Sequence, residues 1–79
     1  MMKEIFDDVS FSLRNYHMYG QYVNDVVLEN KDANSLEINV LTSMPSKQKR
    51  LFVKDCLSKI SKNYARQGYG LCFNLYNTL

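Results

Sequence analysis

The spacing of apolar residues near the start of the chain predicts an amphipathic helix over residues 3–19. Five of them fall within an arc of about 100° when successive residues turn by about 100°: Ile5, Phe6, Val9, Leu13 and Tyr16. Gly20 can take the left-handed conformation that follows many helices. A competing interpretation remains, because Val9, Phe11 and Leu13 also alternate with polar residues, as they would if residues 8–14 were an extra strand.

The next 20 or so residues indicate a β-hairpin. The segment 22–29 holds three β-branched valines, and apolar and polar residues largely alternate over 36–41. Residues 30–35 have the polar composition of a hairpin loop. The apolar residues of the first strand also match helical spacing, so the pattern supports the first strand less strongly than the second.

A second helix is predicted from residue 46 to about Gln67. Ser43 or Ser46 would cap its start, Pro45 suits a first turn, and Gly68 would end it. One side of this helix is apolar and carries Phe52, Val53, Cys56, Leu57, Ile60 and Tyr64. The alternation over 71–76 then predicts a final strand.

These elements predict an α+β protein with the order α-β-β-α-β and one domain over residues 1–79. The strand-helix-strand unit of 36–76 is long enough for a right-handed crossover between parallel strands. We therefore expect a three-stranded sheet with both helices on one face. The other face would then be uncovered and would carry Val23, Asp25, Val27, Glu29, Glu37, Asn39, Leu41, Cys72, Asn74 and Tyr76.

Charge is sorted along the chain. Residues 1–45 hold seven acids and three bases, whereas residues 46–79 hold seven bases and one acid, which leaves a net charge of +2. Six of the bases spread over the outer side of the second helix, and we name this set the basic row: Lys47, Arg50, Lys54, Lys59, Lys62 and Arg66. Such a row suits an acidic protein surface or a phosphate backbone, although an ordinary solvated face has the same composition.

Two further apolar residues form a possible second contact surface. Phe11 and Met18 lie seven apart on the side of the first helix opposite its apolar stripe. Exposed apolar groups beside charges often mark interaction sites.

The chain contains no recognisable catalytic or metal-binding motif. It has one histidine, His17, and two cysteines, Cys56 and Cys72, that we expect to be buried thiols. No enzyme activity, metal or cofactor is expected. Apolar runs fall short of the roughly 20 residues of a membrane span, and the N-terminus is acidic where a signal peptide would be apolar, so we expect a cytoplasmic protein.

The leading hypothesis is a small non-catalytic binding protein that occupies a surface of another macromolecule. Residues with AT-rich codons, such as Asn, Lys and Tyr, are abundant. That bias fits a phage or mobile-element inhibitor of a host factor, which would act in the host cytoplasm. The alternative is a nucleic-acid-binding regulator that uses the basic helix 46–67. A third possibility is an obligate homodimer in which uncovered sheet faces or edges pair.

Overall fold

The computed structural model describes residues 2–17 and 19–78 and has the predicted α+β architecture. Helix α1 spans Met2–Arg14 and leads through a 3-10 turn, Gly20–Tyr22, into β1, Val23–Lys31. Strand β2 is Ser35–Thr42 and strand β3 is Gly70–Asn77. Between them lies α2, one helix in three segments, which are Ser46–Phe52, a π-helical turn Val53–Leu57 and Ser58–Ala65. The predicted order α-β-β-α-β is confirmed.

Strand β2 is the centre of a mixed three-stranded sheet with the order β1-β2-β3. It runs antiparallel to β1, with Val26 opposite Val40, and parallel to β3, with Ile38 opposite Phe73. Helix α2 therefore connects two parallel strands, as the length of the connection predicted. The two outer strands each leave one edge without a strand neighbour in the described part of the chain.

The core lies between the two helices and one face of the sheet. Leu36, Ile38 and Val40 of β2 are at most 2% exposed, and they belong to one buried cluster with residues of α1 and α2. Burying each such side chain stabilises the fold by about 1.5–3 kcal/mol. Both helices consequently lie on the same face of the sheet, and the opposite face is left open.

Helix α1 corrects two predictions. Residues 8–14 are helical, so the extra strand is wrong, and the helix ends at Arg14 rather than near residue 19. The chain then turns sharply, with His17 in the left-handed region at φ 46°. Gly20 is required for a different reason than predicted, since a Cβ there would lie 2.2 Å from the carbonyl oxygen of Arg14.

The ends of α2 confirm one expectation and overturn another. Pro45 takes the N-cap position without any side-chain cap, so neither Ser43 nor Ser46 plays the predicted part. The helix ends at Ala65, two residues earlier than predicted, and Gly68 adopts the expected left-handed conformation at φ 91°.

Candidate binding surface on helix α2

The basic row follows a repeated spacing that an ideal α-helix would not align. Its members are separated by three, four, five, three and four residues, and the step of five lies between Lys54 and Lys59. At about 100° per residue, an uninterrupted α-helix would point the first three cations about 120° away from the last three. The row would then be split between two sides of the helix.

The π-helical turn removes this split. It covers Val53–Leu57, and the amide of Ser58 donates to the carbonyl oxygen of Val53, five residues earlier. Such a turn adds one residue to the helix and sets the following residues back by roughly 100°. Because the turn covers the step of five, the six cations come into line along about 30 Å of helix, at 1.5 Å per residue. All six are exposed.

The same turn keeps the apolar side of α2 continuous. Phe52 and Leu57 are both buried although they lie five residues apart, and Ile60 and Tyr64 pack against the core further along. Because the π turn rotates the second half of α2 back by roughly 100°, its buried residues line up with Phe52. Val53 then lies at the margin of the buried side. Val53 is accordingly 44% exposed, which corrects its predicted place on the apolar side.

Exposed aliphatic side chains accompany the first half of the row. Leu51 is 38% exposed and Val53 44% exposed, and at about 100° per residue they lie on opposite sides of Arg50 and Lys54. Leu51 and Val53 therefore border the cations on either side, and a partner that covers this half of the row also covers some apolar surface beside it.

No ion pair within residues 2–17 and 19–78 involves the basic row. The ion pairs found there join Lys3 to Asp7 and Arg14 to Asp25, each at 3.2 Å. Asp55, the acid within α2, lies in the π turn, where its backbone carbonyl accepts a hydrogen bond of 3.3 Å from Tyr16. The positive charge of the row is thus available to a partner.

The open face of the sheet carries the opposite charge. The Asn39 amide donates to Glu29 at 2.8 Å, and the Asn74 amide donates to Glu37 at 2.8 Å and to Asn39 at 3.0 Å. Two carboxylates are therefore fixed across all three strands. Since α2 lies on the other face, the molecule has a basic side and an acidic side.

Val23 does not belong to this open face. Asn24 forms a β-bulge, so that Val23 lies opposite Thr42 and Asp25 lies opposite Leu41. The extra residue reverses the alternation and turns Val23 into the core, where it is buried. The other predicted open-face residues on β2 and β3 alternate with buried or core-packed neighbours, as expected.

The possible second contact surface is reduced to one residue. Phe11 is 68% exposed on α1, as the helical interpretation requires. Met18 lies outside the described residues.

The two cysteines differ. Cys56 is buried in α2, and burial raises the pKa of its thiol to about 11 against a smaller lowering effect of Lys59. Cys72 is exposed, which corrects its predicted burial, because the even-numbered residues of β3 face the open side. It lines a cleft of about 490 Å³ with Lys31 and Glu37, at the end of the sheet where β3 begins; the residues lining this cleft include none of the basic row.

Among the described residues, no three His, Cys, Asp or Glu side chains are grouped to hold a metal ion. None of their helices combines the length and apolar character needed to cross a bilayer.

Comparisons of the chain with protein-family models, with curated proteins and with solved structures found no match.

Proposed function

We propose that this is a small non-catalytic binding protein that uses the basic row to occupy an acidic surface of another protein. The observation that carries the proposal is the alignment of six cations by the π turn, with Leu51 and Val53 exposed beside them. Charge would guide and orient the contact, and the aliphatic groups on either side of Arg50 and Lys54 would add buried apolar area to it.

The exposed aliphatic groups favour a protein partner over nucleic acid. A phosphate backbone gains affinity from Lys and Arg through the release of counterions, and it gains little from Leu51 or Val53. Four of the six cations are lysines, whereas specific phosphate and base contacts favour the planar fork of arginine. The net charge of +2 is also modest for a protein that binds DNA tightly.

The two-sided charge distribution suggests how docking would be oriented. An acidic partner attracts α2 and repels the sheet face that carries Glu29 and Glu37. A bound molecule would then cover a surface about as long as the row and exclude the partner's usual ligand. Inhibition of a host factor by a phage or mobile-element protein is the role that this behaviour fits.

The test compares four forms of the protein immobilised in a lysate of the source cell. They are the wild type, Lys54→Glu with Lys62→Glu, Leu51→Ser with Val53→Ser, and a control, Lys3→Glu with Lys31→Glu, which makes the same charge change at exposed lysines outside the row. We expect the wild type and the control to retain one stoichiometric protein that the other two forms lose. Quantitative mass spectrometry of the eluates measures this.

A second arm uses a random-sequence DNA duplex and a random-sequence RNA at low salt. Nucleic-acid binding that weakens steeply with salt, and that the Leu51→Ser, Val53→Ser form retains, would replace the proposal with the nucleic-acid alternative. If the wild type retains neither a protein nor nucleic acid, the basic row is an ordinary solvated face and the proposal is wrong.

A further inference from the structure

Within residues 2–17 and 19–78, one edge of strand β3 has no strand neighbour and lacks the features that usually protect such edges. Gly70–Asn77 contains no charged residue and no proline, and its pairing with β2 runs from Ser35 opposite Gly70 to Thr42 opposite Asn77 without a bulge. A regular, uncharged edge strand is a template for pairing with another strand.

The hydrogen bonds at the two ends of β3 show which groups point outwards. The amide of Gly70 donates to Asn34 at 2.8 Å, and the amide of Thr78 donates to Thr42 at 3.0 Å. Even-numbered residues of β3 therefore face β2 with their amides and carbonyls. Because the direction alternates along a strand, the backbone amides and carbonyls of Leu71, Phe73 and Leu75 point outwards from the edge of the sheet.

Strand β1, at the opposite edge, is protected. Its pairing with β2 is interrupted by two bulges, at Asn24 and Glu29, and it carries the charged residues Asp25, Glu29 and Lys31. Arg14 of α1 also pairs with Asp25 at 3.2 Å. Bulges and charges of this kind prevent pairing of edge strands, so only the β3 edge is suited to strand addition.

We propose that β3 pairs antiparallel with β3 of a second copy, which joins the two sheets into one of six strands. A two-fold axis at Phe73 uses all three outward residues, with Leu71 opposite Leu75 of the second copy. The strand is complementary to itself, since no charge meets a like charge across the axis. The half-buried side chains of Leu71, Phe73 and Leu75 would gain cover from the second copy.

The position of the basic row is compatible with this dimer. The row lies on the side of α2 away from the core, so its cations point away from the sheet and not across the new interface. Both helices α2 then lie on the same face of the six-stranded sheet, and the dimer presents two basic rows to one side. A partner with two acidic sites would bind such a dimer with higher avidity than a monomer. The dimer itself does not depend on the proposed function.

Sedimentation velocity across micromolar concentrations, combined with amide hydrogen exchange, tests the proposal. We expect a species of twice the monomer mass of 9.3 kDa, together with slow exchange at the amides of Leu71, Phe73 and Leu75 that becomes fast on dilution. A 9.3 kDa species at every concentration would overturn the proposal.

Two variants test whether the dimer interface lies on β3. Cys72→Lys puts a charge on the exposed face of the edge strand, and Leu75→Pro removes an outward amide at a position where an edge strand tolerates proline. Each should raise the dimer dissociation constant at least about tenfold while the circular dichroism spectrum stays that of a folded protein. The matched control, Val27→Lys on the same sheet face of β1, should leave the dimer intact.

The remaining outcomes separate this inference from the proposed function. If Val27→Lys dissociates the dimer and Cys72→Lys does not, the interface lies elsewhere and the β3 pairing is wrong. Lys54→Glu with Lys62→Glu should abolish capture of an acidic protein and leave the dimer unchanged.

Discussion

The two helices lie side by side on one face of the sheet, but only α1 keeps a regular pitch. Its buried residues Ile5, Val9 and Leu13 recur every four residues. In α2 the pattern slips by one residue between Lys54 and Lys59, and a π turn absorbs the slip. The comparison shows that one extra residue can be tolerated in a helix when the apolar side and the charged side slip together.

We expect that coincidence of a functional constraint on the exposed side of α2 more than of packing alone. The core requires only that Phe52 and Leu57 both face inwards, and the cations could then fall anywhere on the exposed surface. Instead, three cations before the slip and three after it share the same spacing. Single π turns are rare in helices and are frequent at functional sites, which agrees with a binding role for the basic row.

Single-residue deletions should affect the two helices very differently. Deleting Ser10 from α1 rotates the helix after the deletion by about 100° relative to the helix before it. Either Leu13 or the pair Ile5 and Val9 then points away from the core. We expect the free energy of unfolding to fall by more than about 4 kcal/mol. Deleting Asp55 converts the π turn into ordinary α-helix with both sides still aligned, and should lower the free energy of unfolding by less than about 1.5 kcal/mol. Urea unfolding followed by circular dichroism measures both.

The deletion of Asp55 also tests the binding surface. The six cations remain in line in this variant, so capture of the acidic partner should persist. Equal destabilisation by the two deletions would contradict the role given to the π turn.

Two phenylalanines, one from each helix, differ in burial. Phe52 of α2 is fully buried and contacts the ring of Tyr16, with 6.4 Å between ring centroids, whereas Phe11 of α1 is 68% exposed. Phe52→Ala should lower the free energy of unfolding by about 3–5 kcal/mol, and Phe11→Ala should change it by less than about 0.5 kcal/mol. Thermal and urea unfolding of both variants check this. A large loss for Phe11→Ala would show that α1 packs against something further.

Much of the fold is readable from the sequence because its patterns are local. The alternation over 36–41 and the long amphipathic segment after Pro45 predict β2 and α2, and Gly68 ends α2 as expected. The π turn has a signal too, since the basic and apolar residues of α2 both contain a step of five. A helical wheel of constant pitch conceals that signal and places Val53 wrongly.

Other features depend on contacts that no local pattern contains. The bulge at Asn24 turns Val23 inwards although Val23, Asp25 and Val27 alternate without a break. Helix α1 ends at Arg14, and the chain then turns so that Gly20 packs against the carbonyl of Arg14, which the apolar spacing over residues 3–19 does not indicate. The positions of the candidate binding residues followed from the sequence, whereas their alignment required the structure.

Thiol chemistry extends the comparison to the buried side of α2. Because the pKa of Cys56 is raised to about 11 and its side chain is buried, only about one thousandth of it would be thiolate at pH 8. We expect Cys72 to react with a thiol reagent at least about a hundredfold faster than Cys56, which should react only as the protein unfolds. Cys72→Ser should remove the fast phase. A slow phase that is lost in Cys72→Ser would contradict the assignment.

The smallest expected change in stability concerns a hydrogen bond between the two helices. The Tyr64 hydroxyl of α2 donates to Asp8 of α1 at 2.5 Å, and burial, this hydrogen bond and the negative charge of Asp8 raise the pKa of Tyr64 to about 12 from the ordinary 10. The folded state therefore holds the proton more tightly than the unfolded state, so the contribution is present below pH 10 and is lost as the pH rises towards 12.

Tyr64→Phe should cost about 1 kcal/mol at neutral pH, and the difference from the wild type should shrink above pH 10. Asp8→Asn should reduce the fall in wild-type stability over the same range, because it removes the negative charge that holds the proton on Tyr64. Cys56 is present in all three proteins, so its own titration cancels from the differences. Urea unfolding from pH 8 to 11.5 gives the curves. Parallel curves for the wild type and Tyr64→Phe would show that Tyr64 ionises equally readily in the folded and unfolded states, and the contact between α1 and α2 would then be one of packing alone.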